Sequence, residues 1–174
     1  QQMASSNRDQ LVKPEFMSEQ EFQWVKQATE SLERIRGDAR ADAAAYQANP
    51  DGWAEGRSSR SGMPTLLLTT IGRKSGEKRA TPLLYLHEGW RVIVVGSLAG
   101  YDNHPFWYLN LQANPNCWVQ LDDVVMQGVA RDATDAERET HWPRVKALFP
   151  AYDYFQTTTP RKFGLVFITP TGLA

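Results

Sequence analysis

The chain has 174 residues with 19 basic and 20 acidic side chains, a formal net charge of −1, so no global field draws it to nucleic acid or anionic lipid and any basic site must be local. The length suits one domain with a proper core. A single cysteine excludes an internal disulfide, and no apolar run approaches the roughly 18 residues of a spanning helix. No signal peptide is visible, so a reducing cytoplasm is the expected setting.

Residues 1–13 are polar and expected to be disordered; the two glutamines before Met3 read as an appended remnant. Residues 14–50 read as a helical segment. Ser18 to Glu21 makes a capping box, with Met17 and Phe22 placed as a hydrophobic staple. Phe22, Val25, Leu32 and Ile35 then follow at helical spacing, and Gly37 is a fitting terminator, so one amphipathic helix is expected. Its apolar stripe is expected to cover a sheet, which leaves a peripheral membrane contact through this helix as the lesser reading. Asp38–Ala48 predicts a second short helix ending before Asn49-Pro50. Asp51–Met63, rich in Gly and Ser, is a loop that could lie over a site.

The centre reads as β structure: Thr65–Thr70, Lys78–His87, Arg91–Ser97, Trp118–Leu121 and Val124–Ala130, separated by turns at Gly72–Gly76, Glu88-Gly89 and Asp122-Asp123. Short connections imply antiparallel hairpins. The one long link, from Ser97 to Trp118, carries a helix opened by Pro105. Cys117 lies in an apolar run and reads as a buried small hydrophobe. Thr134 to Glu137 is a second capping box, opening a helix to about Leu148 that Pro143 should kink or divide. Pro150–Thr159 is aromatic and polar, and Phe163–Thr169 makes a last strand. This order of elements predicts an α+β fold built on a small barrel.

Two segments carry candidate chemistry. Gly72-Arg73-Lys74-Ser75-Gly76 offers two cations, a hydroxyl and backbone N–H groups between strands, with Arg79 three residues on. Three cations converging on a phosphate or carboxylate cluster would each contribute about 1.5–3 kcal/mol through charge-assisted hydrogen bonds. The alternative is an ordinary hairpin with solvated basic residues. In His104–Ala113 the helical period puts Trp107, Asn110 and Leu111 on one face and Phe106, Leu109 and Ala113 on another. Trp107 and Asn110 could serve a ligand as stacking surface and amide; alternatively both belong to the core, with Asn110 satisfying backbone groups. His104 suits a cap or loop. The histidines at 87, 104 and 141 are scattered, and no catalytic triad, nucleophile elbow or zinc cluster is present. An enzyme without its own nucleophile or metal takes its chemistry from an organic cofactor.

At TTIGRKSG, the Arg79–Pro82 R-x-x-P, RVIVVGS, HPFWYLNLQANP, and ARDATDAER with its following Trp-Pro, the chain resembles the deazaflavin (F420)-dependent nitroreductase family, the A-type deazaflavin/flavin oxidoreductases of actinobacteria. The resemblance runs collinearly from about Pro64 to Pro170. It implies a split β-barrel over residues 51–174 that binds reduced coenzyme F420 through its phosphate and oligoglutamate tail. By resemblance, Arg73, Lys74, Ser75 and Gly76 hold the phosphate and tail, with Arg79 beside them. Ala80, Thr81, Pro82, Leu83 and Leu84 pass along the cofactor; Val95, Gly96, Ser97 and Leu98 line the ring; Phe106, Trp107, Tyr108 and Asn110 complete the pocket. No metal is implied. The prototype nitroreductase has Lys where this chain has Leu98, and a substrate-side Tyr where this chain has Phe155; Tyr152 matches another of its tyrosines and Tyr154 is an extra neighbour.

The expected function is hydride transfer from reduced deazaflavin to a quinone, an enone or a nitroaromatic compound, with Tyr152, Tyr154 or Ser97 as the hydroxyl that supplies a proton and Tyr152 and Phe155 against the substrate. An FMN enzyme in the same barrel, and a non-catalytic F420 carrier, are the alternatives. The chain is expected to act as a monomer or homodimer.

Overall fold

The computed structural model describes residues 11–174; most of the segment expected to be disordered, residues 1–10, lies outside the described residues. The first capping box forms: Ser18 Oγ accepts from Glu21 N at 3.1 Å and the Glu21 carboxylate accepts from Ser18 N at 2.8 Å. It opens α1 (Glu19–Ala28), whose Phe22 and Val25 are buried. The expected single helix ending at Gly37 does not form. Thr29 Oγ1 donates to the Val25 carbonyl at 2.6 Å, and Ser31 caps a new helix by accepting from Arg34 N at 3.0 Å. That helix, α2 (Leu32–Ala48), runs through Gly37 and absorbs the second short helix. A glycine inside a helix costs about 1 kcal/mol, a deficit that local capping and tertiary contacts outweigh here.

Seven antiparallel strands form one curled sheet in the order β2-β1-β5-β6-β7-β4-β3. They are β1 (Thr65–Ile71), β2 (Lys78–Leu84), β3 (Leu86–Glu88), β4 (Arg91–Gly96), β5 (Asn116–Leu121), β6 (Val124–Asp132) and β7 (Gly164–Leu173). The extended run expected as one strand, Lys78–His87, breaks at buried Tyr85. It pairs with β1 before the break and with β4 after it. One stretch of chain thereby joins the two edges of the sheet, and its corner is pinned where the Tyr85 hydroxyl donates to the Ala54 carbonyl at 2.9 Å.

Strand alternation divides the core. Val92, Val94, Val166 and Ile168 face one side, where they pack with Leu66, Leu68, Val119, Trp107 and Leu111. Ile93, Val95, Leu165 and Phe167 face the other, packed with Phe22, Val25, Tyr152 and Phe155. The Phe22 and Val25 stripe of α1 is therefore spent on the core; no helix among the described residues is long and apolar enough to cross a membrane.

Helix α3 (Phe106–Ala113) fills the long link, α4 (Asp135–Leu148) follows the second capping box, and α5 (Ala151–Gln156) occupies the aromatic segment after it. Pro143 does not divide α4, which is held by Val145 in the core and by the Trp142 indole donating to Asp153 at 3.3 Å. The loop at 51–63 packs away from any site: Trp53 stacks on Tyr46 with ring centroids 4.7 Å apart.

Candidate functional site

The β1–β2 hairpin closes through Gly72 N to the Glu77 carbonyl and Gly76 N to the Gly72 carbonyl, both at 2.8 Å, with Gly76 at φ +73°. That backbone region favours glycine. The loop is tied to α3 by buried Asn110, whose Oδ1 accepts from Arg73 N at 3.1 Å while its Nδ2 donates to Thr70 Oγ1 at 3.0 Å. The Asn110 amide, considered for a ligand, thus also anchors the hairpin while it lines the adjoining cavity. Ser75 Oγ is likewise engaged, accepting from Glu77 N at 3.1 Å. The Arg73 and Lys74 side chains stay exposed with no carboxylate partner among the described residues, whereas Arg79 pairs with Glu77 at 3.2 Å.

From this hairpin a cavity of about 770 Å³ extends along β2. Gly72 to Ser75 and Arg79 to Leu84 line it, as do Val95, Ser97, Leu98, Phe106, Trp107, Asn110, Tyr152 and Phe155. Gly76, Gly96, Tyr108 and Tyr154 lie outside the lining. Tyr108 donates to Asp132 at 3.0 Å and stacks on His104, and Tyr154 packs beside Phe155. At about 3.3 Å per residue the wall from Arg79 to Leu84 is about 17 Å long. Since β2 is an edge strand, its outer backbone groups have no strand partner, and Pro82 is tolerated there for that reason.

The two ends differ in chemistry. The hairpin end is cationic. The other, between β4, α3 and α5, is apolar, walled by Leu84, Val95, Leu98, Phe149 and Phe155. Tyr152 stands there with no hydrogen-bond partner among the described residues, and burial pushes its phenol above the ordinary value of 10. Burial also lowers the His104 imidazole, with Arg161 adding to the shift.

Helix α2 supplies lining that sequence reading missed: Ile35, Arg36, Ala39 and Arg40. Their i, i+4 spacing was the available signal, obscured by taking Gly37 as a terminator. Arg36 lies over the Phe106 ring at 4.3 Å, joining α2 to α3 at the cavity. Among the described residues, five cationic side chains and no carboxylate therefore line the cavity.

A left-handed turn at Leu98–Gly100 borders the apolar end, with φ of 40°, 52° and 79°. A non-glycine residue in this region costs about 1–2 kcal/mol. At Gly100 a side chain could not fit, because a Cβ would lie 2.5 Å from the Phe155 carbonyl oxygen. The turn is gripped by Arg161, whose charged hydrogen bonds, at about 1.5–3 kcal/mol each, offset the strain.

Residues 38–170 match the F420H(2)-dependent quinone reductase family. A Mycobacterium tuberculosis protein with a provisional F420H(2)-dependent quinone reductase name is 36% identical over 115 residues, 66% of this chain and 97% of that protein. A second protein of that organism, named an F420H(2)-dependent quinone reductase, is 43% identical over 58 residues, 33% of this chain and 39% of its own length. Among solved structures, an F420-H2 dependent reductase (FDR-A) superposes with a TM-score of 0.57 at 37% identity, covering 61% of this chain and 94% of that one. Another, described as a domain-swapped dimer, gives 0.55 at 34% identity over 75% of this chain and 98% of its own. The expected split-barrel fold is thereby confirmed, and the chain belongs to the F420H(2)-dependent quinone reductase family.

Proposed function

We propose that the chain is a reductase that uses reduced coenzyme F420 to deliver a hydride to a quinone, with the cavity along β2 as its active site. The observation that carries the site is its charge: among the described residues, five cations and no carboxylate line one cavity of a protein whose net charge is −1. A coenzyme with a phosphate and an oligoglutamate tail suits that lining. Arg73, Lys74 and Arg79 would hold the phosphate and nearest carboxylates, with Arg36 and Arg40 on the flank. The outer edge of β2 and the part of buried Trp107 that lines the cavity would border the ring system.

When bound, the coenzyme supplies the hydride. The chain itself contributes orientation and an apolar end that excludes water. There the Tyr152 hydroxyl is available to donate a hydrogen bond to the acceptor's oxygen, and its raised pKa keeps it protonated across neutral pH. The completing proton comes from this phenol, from the Ser97 hydroxyl or from solvent. Tyr154, outside the lining, is set aside. The Phe149 and Phe155 walls suit a flat apolar acceptor, so quinones are favoured over enones and nitro compounds.

The test is titration of the protein with F420 and FMN side by side, then oxidation of the reduced coenzyme by a menaquinone analogue, an enone and a nitroimidazole. Tight, tail-length-dependent F420 binding with turnover by the quinone is expected. Preference for FMN, or binding without turnover of any acceptor, would replace this reading by the flavin-enzyme or carrier alternative. Replacing Arg73 and Lys74 together by Ala should weaken F420 binding by about 10-fold or more per charge, with the melting temperature unchanged because both side chains are exposed. The relative solved as a domain-swapped dimer supports a homodimer, which size-exclusion chromatography checks.

A further inference from the structure

Arg161 does not line the cavity, yet its guanidinium, which lies over the Phe163 ring at 5.0 Å, gives three hydrogen bonds to the segment that forms the apolar end. Nε donates to the Tyr101 carbonyl at 3.0 Å, Nη1 to the Gly96 carbonyl at 2.9 Å and Nη2 to the Ser97 carbonyl at 2.7 Å. These three acceptors flank the left-handed turn at Leu98–Gly100 on both sides. The adjacent residues add two further bonds: Thr158 Oγ1 shares its proton between the Gly100 carbonyl at 3.1 Å and the Phe155 carbonyl at 2.7 Å, and Thr159 Oγ1 donates to Asp102 at 2.6 Å. No carboxylate forms a salt bridge with Arg161 among the described residues, and burial lowers it to about 10. Other arginines of the chain, such as Arg34, Arg60 and Arg131, are paired with carboxylates on the surface. A half-buried cation that gives all its bonds to carbonyls is held for the shape it imposes on that backbone.

We propose that Arg161 is a positioning residue for the reaction, which locks the strained Leu98–Gly100 turn and so fixes Ser97, Leu98 and Ala99 at the apolar end of the cavity. The three carbonyls that it binds are turned toward a side chain behind the cavity wall. The wall therefore presents a hydroxyl, an isobutyl group and a methyl group in a fixed arrangement. A planar fork with donors in three directions is required, and a lysine ammonium on a flexible stem cannot reproduce it. This inference rests on the placement of the coenzyme's ring at that end under the function proposed above.

The test compares wild type with Arg161→Lys, in three measurements: F420 affinity by fluorescence, visible circular dichroism of the bound coenzyme, and kcat and KM with a menaquinone analogue. Because the anionic anchor lies at the hairpin end, affinity should change less than about 3-fold. The dichroism of the bound ring should change, and kcat should fall roughly 10- to 100-fold. Adding Ala99→Gly, which adopts the same backbone without strain, should recover part of the kcat loss. If Arg161→Lys does not fold, Thr158→Val removes one milder grip on the same turn and should lower kcat a few-fold at unchanged affinity. Unchanged dichroism and kcat in a folded variant would overturn the proposal, as would a loss that Ala99→Gly leaves untouched. Failure of the wild type to bind F420 would instead overturn the functional reading beneath it.

Discussion

At the apolar end of the cavity the Tyr152 ring is fixed edge-on against Phe149, with centroids 5.1 Å apart, while its hydroxyl has no hydrogen-bond partner among the described residues. A buried phenol normally finds a partner, so this one is set toward something that enters the cavity. Tyr152→Phe separates its packing role from its bonding role, because the ring stays and only the hydroxyl goes. One neutral hydrogen bond is worth about 0.5–1.5 kcal/mol, so kcat/KM for a quinone should fall between about 2- and 10-fold. The melting temperature should hold or rise slightly, since no buried partner is orphaned. Because burial raises the phenol, the wild-type pH–rate profile should show no tyrosine limb near neutrality. A limb there that vanished in Tyr152→Phe would contradict the direction of that shift.

Among the contacts that hold helix α2 over the cavity, one side chain ties it to the sheet backbone. Tyr46, fully buried, shares its hydroxyl proton between the Thr65 carbonyl at 3.1 Å and the Gln120 carbonyl at 3.2 Å and accepts from Asp122 N at 3.1 Å. It thus rivets the C-terminal half of α2 to β1 and β5. Tyr46→Phe leaves those backbone groups buried without this partner, a cost of about 1–3 kcal/mol. The melting temperature should drop by several degrees, with faster amide exchange concentrated in Leu32–Ala48. Exchange spread evenly over the sheet would show that α2 does not open as a unit.

The same helix marks where the sequence stopped being legible. Both capping boxes, the strand periods and the basic hairpin are local signals, carried by neighbours within a few residues, and they appear as expected. The break at Thr29–Ser31 and the passage through Gly37 depend on tertiary contacts outweighing a glycine's propensity. Asn110 was legible only as two alternatives, since nothing local says that its amide reaches the hairpin 37 residues away. Arg161 was not legible at all: its carbonyl partners are 60 to 65 residues distant and leave no side-chain pattern.

Over the whole molecule, charge nearly cancels while one cavity concentrates a single sign, which makes electrostatics at the site separable from the rest of the protein. Screening lengths shrink from about 10 Å at 0.1 M salt to about 3 Å at 1 M. F420 affinity should therefore fall steeply with ionic strength, while KM for an uncharged quinone stays level. Arg36 and Arg40 should account for part of that slope, because neither has a carboxylate partner among the described residues and both line the cavity. Replacing both with Gln should weaken binding at low salt and flatten the dependence. Arg34 supplies the control on the same helix: it bridges Glu30 at 3.4 Å and Asp38 at 3.2 Å, so its field is locally neutralised. Arg34→Gln should leave the salt slope as in the wild type. Equal flattening by both substitutions would mean that the coenzyme senses the helix's total charge, and the assignment of α2's cavity face to the coenzyme's carboxylates would fall.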